Sequence, residues 1–262
     1  MKQALIIIQG LLMAVVAIFI VSFLYTLIAY LFMFITGLSV LSPEIDYCLM
    51  VMAVMISCII YYIWYKKHMS IRQRELIDLR EVFSIKNVRI YIMLGIGCQL
   101  FISGILSLIR PLFETLFSYY DDAMSSIFNA DTVIVAAYVI IFAPLIEELI
   151  LRGILFNRLR YGVTFPVANF IQALVFGIYH MDIVQGLYAF GIGLILGYLY
   201  EKTRTLLAPI FLHVVINGLG FLLQFLSIGK YITIWIAIVV GGILLFSSLY
   251  LFRKNNNDII EK

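Results

Sequence analysis

The chain contains 262 residues, of which 64% are hydrophobic and 13% are charged, and its formal net charge is +3. An ordinary soluble domain has roughly 25% charged residues, so this composition excludes a soluble protein and predicts an all-α polytopic membrane protein. The small positive charge collects in the predicted cytoplasmic segments, and we therefore expect no nucleic-acid partner.

Eight apolar stretches are long enough to cross roughly 30 Å of hydrocarbon as helices. They cover approximately residues 4–35, 47–65, 90–109, 132–156, 165–181, 184–200, 206–226 and 231–252. The first stretch is longer than the roughly 7–15 residue apolar core of a secretory signal, so we expect it to remain as a membrane span. The sequence therefore predicts eight transmembrane helices, with the polar residues of interest in the last five.

Basic residues predict the orientation of these spans. Fifteen of the eighteen Lys and Arg residues lie on one side if the N-terminus is cytoplasmic, whereas Arg110 and Lys230 lie outside and Arg152 lies within a span. Because cytoplasmic loops are enriched in Lys and Arg, both termini are predicted to be cytoplasmic. The short loops and a composition rich in Lys, Ile and Tyr resemble those of Gram-positive bacteria, so we expect the plasma membrane of a bacterium.

Residues 66–89 form the only sizeable polar stretch, in which apolar side chains alternate with charges. Such a segment is typical of a cytoplasmic connector that lies on the anionic membrane surface, and membrane lipid is its expected partner. A docking site for a substrate or partner protein is the alternative. Cys48, Cys58 and Cys98 show no paired or metal-type spacing, and we interpret them as apolar packing residues.

Glu147 and Glu148 lie within the apolar run from Thr132 to Leu151, which contains no other charge. One acidic residue at the centre of a spanning helix costs roughly 2.5–3.5 kcal/mol on insertion scales, so these carboxylates indicate a functional site. Glu148 and Arg152 are four residues apart, which permits an internal ion pair. Glu147 is rotated by about 100° and can point elsewhere. Pro144 cannot donate its backbone N–H and is expected to open backbone polarity near the site.

Two of the three histidines lie in spans or at their ends. Phe176 and His180 share one face of the fifth predicted span, and His213 and Asn217 share one face of the seventh. A lone histidine at a span end is often an interfacial or capping residue, but His213 and Asn217 both need hydrogen-bond partners in a dry helix bundle. We therefore predict a polar cluster that joins these side chains to the glutamates and Arg152, with scattered packing polars as the alternative.

The predicted span boundaries place the residues of the polar cluster at different depths in the membrane. Glu147 and His213 fall in the cytoplasmic half of their spans, whereas His180 falls near the outer end of the fifth. The fourth helix must therefore continue past Asn157, or the fifth must enter deeper than predicted. Three glycines of the sixth span are expected to permit close helix contact without chemistry of their own, and these are Gly191, Gly193 and Gly197.

Three motifs follow one another in the second half of the chain. They are Glu147-Glu148-x-x-x-Arg152, Phe176-x-x-x-His180 and His213-x-x-x-Asn217. Pro144 before the first motif, Gly153 after its arginine and the stretch TLLAPIFLH at residues 205–213 accompany them. Together they resemble the motifs of the CPBP intramembrane proteases, named for CAAX processing and bacteriocin processing and also called the Abi family. The resemblance covers roughly residues 130–220.

This resemblance implies a division of the chain and an activity. Residues 1–110 would form an N-terminal part with three spans and the 66–89 loop, and residues 111–262 would form the protease core, with its motifs between residues 144 and 217. The implied activity is that of an intramembrane endopeptidase that hydrolyses a peptide bond in a small or membrane-associated substrate.

The resemblance also implies roles for single residues. In the family the first glutamate and the first histidine activate a water molecule, so Glu147 would be the general base, aided by His180. His213 and Asn217 would donate hydrogen bonds to the tetrahedral oxyanion. Glu148 and Arg152 would form a structural pair that holds the helix. Donors held in a dry site stabilise developing negative charge, which agrees with these roles.

A zinc site is the alternative to this water mechanism. Two histidines and a glutamate could hold zinc with one open position, and family members are often described as metalloproteases. The chain contains no H-E-x-x-H helix, and the same residues suffice for activation of water without a metal. We therefore favour a glutamate mechanism without a cofactor over a metallopeptidase.

Other functions use the same residues differently. The expected partner is a peptide or small membrane-protein substrate, with delivery by a membrane partner protein left open. A non-catalytic family member that acts as a peptide-immunity factor or membrane scaffold is the main alternative. A proton-coupled transporter would use Glu147 and the histidines as a relay, but transporters usually contain paired repeats with broken spans, which we do not find in this sequence.

Overall fold

The computed structural model describes residues 2–68, 78–128, 132–225 and 233–260, which contain helices and no strands. The predicted all-α fold is confirmed. Residues 69–77 of the predicted 66–89 loop lie outside the described residues, and so does Lys230. In chain order the helices are α1 (Lys2–Thr36), α2 (Pro43–His68), α3 (Leu79–Val82), α4 (Ile85–Ile109), α5 (Glu114–Phe128), α6 (Val133–Arg160), α7 (Phe165–Tyr179), α8 (Ile183–Thr203), α9 (Leu207–Phe225) and α10 (Ile234–Ile260).

Seven of these helices are long and apolar enough to cross a membrane, namely α1, α2, α4, α6, α8, α9 and α10. The predicted polytopic membrane protein is confirmed. The remaining predicted span, 165–181, corresponds to α7, which has only 15 residues. At 1.5 Å per residue such a helix is about 22 Å long, which is less than the roughly 30 Å of the hydrocarbon core.

Helix α5 was not predicted, because its residues were assigned to an outer connection. It begins with Glu114 and carries Asp121, whose carboxylate accepts two hydrogen bonds from Arg110, at 2.7 and 3.1 Å. The polar and apolar residues of α5 lie on different faces, and its apolar face packs on α8. A short amphipathic helix of this kind is too polar to be found by a search for spans.

Helix α6 is the centre of the fold. It continues through 28 residues and contains two π-helical segments, Tyr138–Phe142 and Leu149–Phe156. π-Helical turns are rare and often occur at functional sites. The second segment is buried along its whole length against α1, α2 and α7, and Gly10 of α1 lies directly against the Leu155 side chain.

Helices α4 and α10 approach each other to backbone contact. A Cβ atom on Gly97 would lie 2.4 Å from the Leu245 backbone nitrogen, and a Cβ on Gly241 would lie 2.4 Å from the Phe101 nitrogen. Only glycine fits at such a contact, as in other closely packed membrane helices. The pairing joins the predicted 1–110 and 111–262 parts, and the division between them stays a prediction.

Helices α7 and α8 form a tight antiparallel hairpin. A Cβ on Gly177 would lie 2.6 Å from the carbonyl oxygen of Gly186, so the two backbones touch. The connection turns at Met181, which has φ +56°, and Asp182 then caps α8 by accepting the Gln185 N–H at 2.7 Å. This turn fixes the position of His180, the residue that follows α7.

Candidate active site

The site is built on the pair formed by Glu148 and Arg152, one turn apart on α6. Arg152 Nη1 donates to Glu148 Oε1 at 2.8 Å, and neither side chain is exposed. Arg152 Nη2 donates to the Gly193 carbonyl of α8 at 3.1 Å, and the guanidinium carbon lies 5.1 Å from the centroid of the Phe176 ring. The ion pair that the four-residue spacing permits is therefore formed, and it connects α6 with α7 and α8.

His213 of α9 lies between the two adjacent glutamates. Its Nδ1 atom is 2.9 Å from Glu148 Oε1, and its Nε2 atom is 3.6 Å from Glu147 Oε2. The His213 side chain is only 4% exposed and that of Glu147 is 11% exposed, so both lie at the edge of the buried region. Glu148 Oε1 thus accepts from Arg152 and contacts His213 as well, a contact that spacing along one helix did not predict.

The contact with Glu148 determines which nitrogen of His213 carries a proton. Glu148 Oε1 already accepts from Arg152, and a carboxylate oxygen accepts hydrogen bonds, so His213 Nδ1 is the donor. Nε2 is then directed at Glu147. A carboxylate behind a histidine ring fixes the orientation and the tautomer of that ring.

His180 is held by the last turn of α7. Its Nδ1 atom is 2.8 Å from the Phe176 carbonyl oxygen, which can only accept, so Nδ1 donates and Nε2 is left as an acceptor. The Phe176 ring meets His180 edge to face at 4.8 Å and His213 at 5.6 Å. Glu147 lies within electrostatic range of both histidines. The polar cluster predicted from the three motifs is therefore assembled around Phe176.

The observed helix boundaries resolve the disagreement between the membrane depths of Glu147 and His180. α6 does continue past Asn157, to Arg160, and α7 ends at Tyr179. Counted from the connection between them, Glu147 lies 13 residues up α6 and His180 lies 15 residues from the start of α7. At 1.5 Å per residue these are heights of about 20 and 22 Å. Glu147 reaches the level of His180 because α6 continues to Arg160.

Asn217, one turn after His213 on α9, contacts the first π-helical segment of α6. Its Nδ2 atom donates to the carbonyl oxygen of Val139 at 2.9 Å, across 78 residues of sequence. An asparagine amide has two N–H groups and one is used in this contact. Asn217 is half-buried, so its amide lies at the rim of the cluster and not in its centre.

Two polar residues of the site were missed by the sequence analysis, Asn169 and Gln172 of α7. Gln172 is fully buried and donates to the Gly193 carbonyl at 2.8 Å, the same oxygen that accepts from Arg152. Asn169 donates to the Leu194 carbonyl at 3.0 Å. Gln172 lies four residues and Asn169 seven residues before Phe176, and this spacing was the available signal, since it places all three on one helix face.

The glycines of α8 have more than one role. Gly193 was expected to serve packing alone, and its carbonyl in fact accepts two hydrogen bonds of the site. A Cβ on Gly197 would lie 2.0 Å from the Asn169 side-chain oxygen, so close contact is confirmed there. Gly191 does not make such a contact, since no atom lies within 4 Å of a Cβ placed on it.

Three tyrosines also surround Glu147 and were not singled out from the sequence. Tyr138 of α6, Tyr179 of α7 and Tyr188 of α8 lie within electrostatic range of its carboxylate. A phenol group donates one hydrogen bond and has an apolar ring, so these residues can line a substrate path without placing a further charge in the membrane.

The zinc alternative requires His180, His213 and a carboxylate at roughly 2.0–2.2 Å from a common point. Over residues 2–68, 78–128, 132–225 and 233–260, no group of three His, Cys, Asp or Glu side chains is arranged to hold a metal ion. His213 Nδ1 is bonded to Glu148, which leaves only Nε2 as a ligand. The described side chains are thus not arranged around a common point, and the choice between a zinc site and a site without metal stays a prediction.

Comparison with known proteins finds similarity over the part of the chain that carries the three motifs. Residues 129–219 match the family described as Rce1-like, type II CAAX prenyl endopeptidase. The chain is 30% identical over 108 residues to the putative membrane peptidase YdiL of Bacillus subtilis (strain 168), which covers 40% of this chain and 44% of the relative. It is 33% identical over 96 residues to the membrane-embedded CAAX protease MroQ of Staphylococcus aureus (strain USA300), covering 34% and 39%. The matches span less than half the length of both relatives, and no solved structure matches the chain significantly.

Proposed function

We propose that the protein is an intramembrane endopeptidase of the CPBP type, and the match of residues 129–219 to the Rce1-like CAAX endopeptidase family and the similarity to two bacterial membrane peptidases support this. Its substrate is a small or membrane-associated peptide, and Glu147 with His180 activates the attacking water. His213 and Asn217 stabilise the oxyanion, and Glu148 and Arg152 support the site. The mechanism uses no metal.

One observation carries this proposal: the bridge that His213 forms between Glu147 and Glu148. Three ionisable side chains and the arginine behind them are packed at the centre of a membrane protein. Burial of such groups costs several kcal/mol per ion even in real proteins, and hydrophobic replacements would often be as stable. Packing alone does not account for the arrangement, whereas hydrolysis requires a base, a proton carrier and donors in one dry place.

The steps of hydrolysis can be assigned to atoms of the site. Glu147 removes one proton from water while His180 Nε2 accepts a hydrogen bond from the remaining O–H, and the hydroxide oxygen attacks the peptide carbonyl carbon. The carbonyl oxygen becomes an oxyanion, toward which the Asn217 amide donates, and His213 Nε2 donates to it in the form of the ring that carries a hydrogen on both nitrogens. Glu147 then returns its proton to the leaving amine as the C–N bond breaks, which gives a carboxylic acid and an amine.

The positive-inside pattern and the bacterial relatives support a cellular location and a first substrate class for this reaction. We place the protein in the plasma membrane of a bacterium, as a multi-pass protein with both termini on the cytoplasmic side. The relatives are bacterial and one of them is named a CAAX protease, so prenylated C-terminal peptides are the first substrate class to test. Unprenylated membrane peptides are the second.

The test is cleavage by purified protein in detergent micelles. A panel of internally quenched peptides, prenylated and unprenylated, is incubated with wild type, Glu147→Gln and the control Glu114→Gln, and products are identified by mass spectrometry. Glu147→Gln keeps the shape and removes the base, so turnover should fall by roughly 10²–10⁴-fold. Glu114 is exposed at the start of α5, and its replacement should leave turnover unchanged.

Two outcomes would contradict the proposal. Cleavage at the wild-type rate by folded Glu147→Gln would show that Glu147 is not the base. If no peptide is cleaved and membrane peptides accumulate equally in cells that carry wild type or Glu147→Gln, the non-catalytic alternative replaces the peptidase.

A further inference from the structure

The contact between Asn217 and the Val139 carbonyl is unusual because that carbonyl lies inside a helix. Within a helix a backbone carbonyl normally accepts from a backbone N–H four residues later, and in a π-helical turn from one five residues later. In a membrane an unsatisfied carbonyl costs several kcal/mol, so such groups are satisfied within the segment. Here a side chain from another helix provides the donor.

The local backbone explains why the Val139 carbonyl is available. The N–H four residues later belongs to Ala143, and it donates to Tyr138 because this turn is π-helical. The N–H five residues later would belong to Pro144, and proline has none. Neither backbone group therefore occupies the Val139 oxygen, and the Asn217 amide donates to it at 2.9 Å.

We propose that Pro144 is a positioning residue, which by leaving the Val139 carbonyl free holds the Asn217 amide in the orientation needed for the reaction. This inference rests on the proposed function of Asn217 as an oxyanion donor. One N–H of the amide is fixed by Val139, so the other has a defined direction toward the site. Donors that are already oriented need no rearrangement when the oxyanion forms.

If Pro144 only stabilised the fold, its replacement by alanine would lower the thermal stability of the protein. The proposal predicts the opposite. Proline in a helix interior is less favourable than alanine by roughly 3 kcal/mol, and π-helical turns are rare. Alanine at position 144 restores an N–H that competes for the Val139 carbonyl. Pro144→Ala should therefore keep or raise the thermal stability of the protein while its turnover falls.

The experiment compares Pro144→Ala with Pro166→Ala. Pro166 lies in the first turn of α7, where a backbone N–H has no helical partner in any case, and it is exposed. With the quenched-peptide panel in micelles, Pro144→Ala should lower kcat by about 10²-fold, the effect of a misplaced catalytic group, and change KM by less than about twofold. Pro166→Ala should leave both constants unchanged.

A third variant separates the missing N–H from the rigidity of the proline ring. Lactic acid, introduced at position 144 by nonsense suppression, has the side chain of alanine and an ester oxygen in place of the N–H. If the N–H is the competing donor, this ester should restore kcat to near the wild-type value. An ester variant as slow as Pro144→Ala would overturn the inference.

A readout without substrate keeps this inference separate from the proposed function. In protein labelled with ¹⁵N-asparagine, the Asn217 side-chain amide resonance is identified by its loss in Asn217→Asp. It should move in Pro144→Ala, remain in place in Pro166→Ala and return in the ester. An unmoved resonance in Pro144→Ala overturns the inference, and so does a moved resonance with unchanged kcat. If wild type cleaves no peptide of the panel, the proposed function fails while the resonance still decides the hydrogen bond.

Discussion

Replacement of Arg152 by alanine should destabilise the protein and slow its turnover together. Arg152 and Glu148 have no exposed side-chain surface, so the substitution leaves a buried carboxylate without its counter-ion. Removal of one partner of such a pair costs roughly 3–5 kcal/mol. One kcal/mol shifts the Tm of a domain of 150–250 residues by roughly 2–4 °C, and we therefore expect Tm to fall by about 6–20 °C.

Arg160→Ala is the matched control for this change. Arg160 lies on the same helix and is bonded through two nitrogens to Glu201, at 3.1 and 2.7 Å, but these side chains are 21% and 26% exposed. Ion pairs in contact with solvent are worth about 0–1 kcal/mol. The control should therefore lower Tm by no more than about 4 °C.

A double replacement separates stability from catalysis. Glu148→Gln with Arg152→Met removes both charges at similar volume and should melt at a higher temperature than Arg152→Ala, since no buried charge is left alone. Turnover should stay low because His213 has lost the carboxylate that orients its ring.

Thermal unfolding in one detergent and cleavage of the peptide panel measure the two quantities. If Arg152→Ala melts like Arg160→Ala, the buried pair does not stabilise the fold. If its stability is retained and cleavage is lost, Arg152 is a catalytic residue and not a support for Glu148.

Three further predictions address the oxyanion donors, the metal and the topology. Asn217→Ala should lower kcat by roughly 10²–10³-fold with little change in KM, and an equal rise in KM would show a binding role. Purified protein should contain well under one metal ion per chain and keep its activity after prolonged exposure to a chelator, whereas stoichiometric zinc and zinc-restored activity would favour the metallopeptidase. In a background without native cysteines, an impermeant thiol reagent added outside cells should label Tyr119→Cys but not Arg253→Cys, and labelling at 253 would reverse the orientation.

The sequence by itself determined most of the spans and the contacts between residues one helical turn apart. The apolar stretches gave the helices, because a backbone in hydrocarbon must satisfy its own hydrogen bonds. The spacing of Glu148 and Arg152 gave their ion pair, because residues four apart lie on one face of a helix. The three ordered motifs gave the resemblance to a family of membrane peptidases, and residues 129–219 match the Rce1-like family of type II CAAX prenyl endopeptidases.

Only the tertiary structure decided which helices supply partners to one another. His213 contacts Glu148 across 65 residues of sequence, and Asn217 contacts Val139 across 78. Such contacts depend on the tilt, rotation and depth of each helix, which are set by packing against neighbours and not by the length of an apolar stretch. Glu147 is the clearest case, since it reaches the level of His180 only because α6 continues to Arg160, past the end that hydropathy predicted.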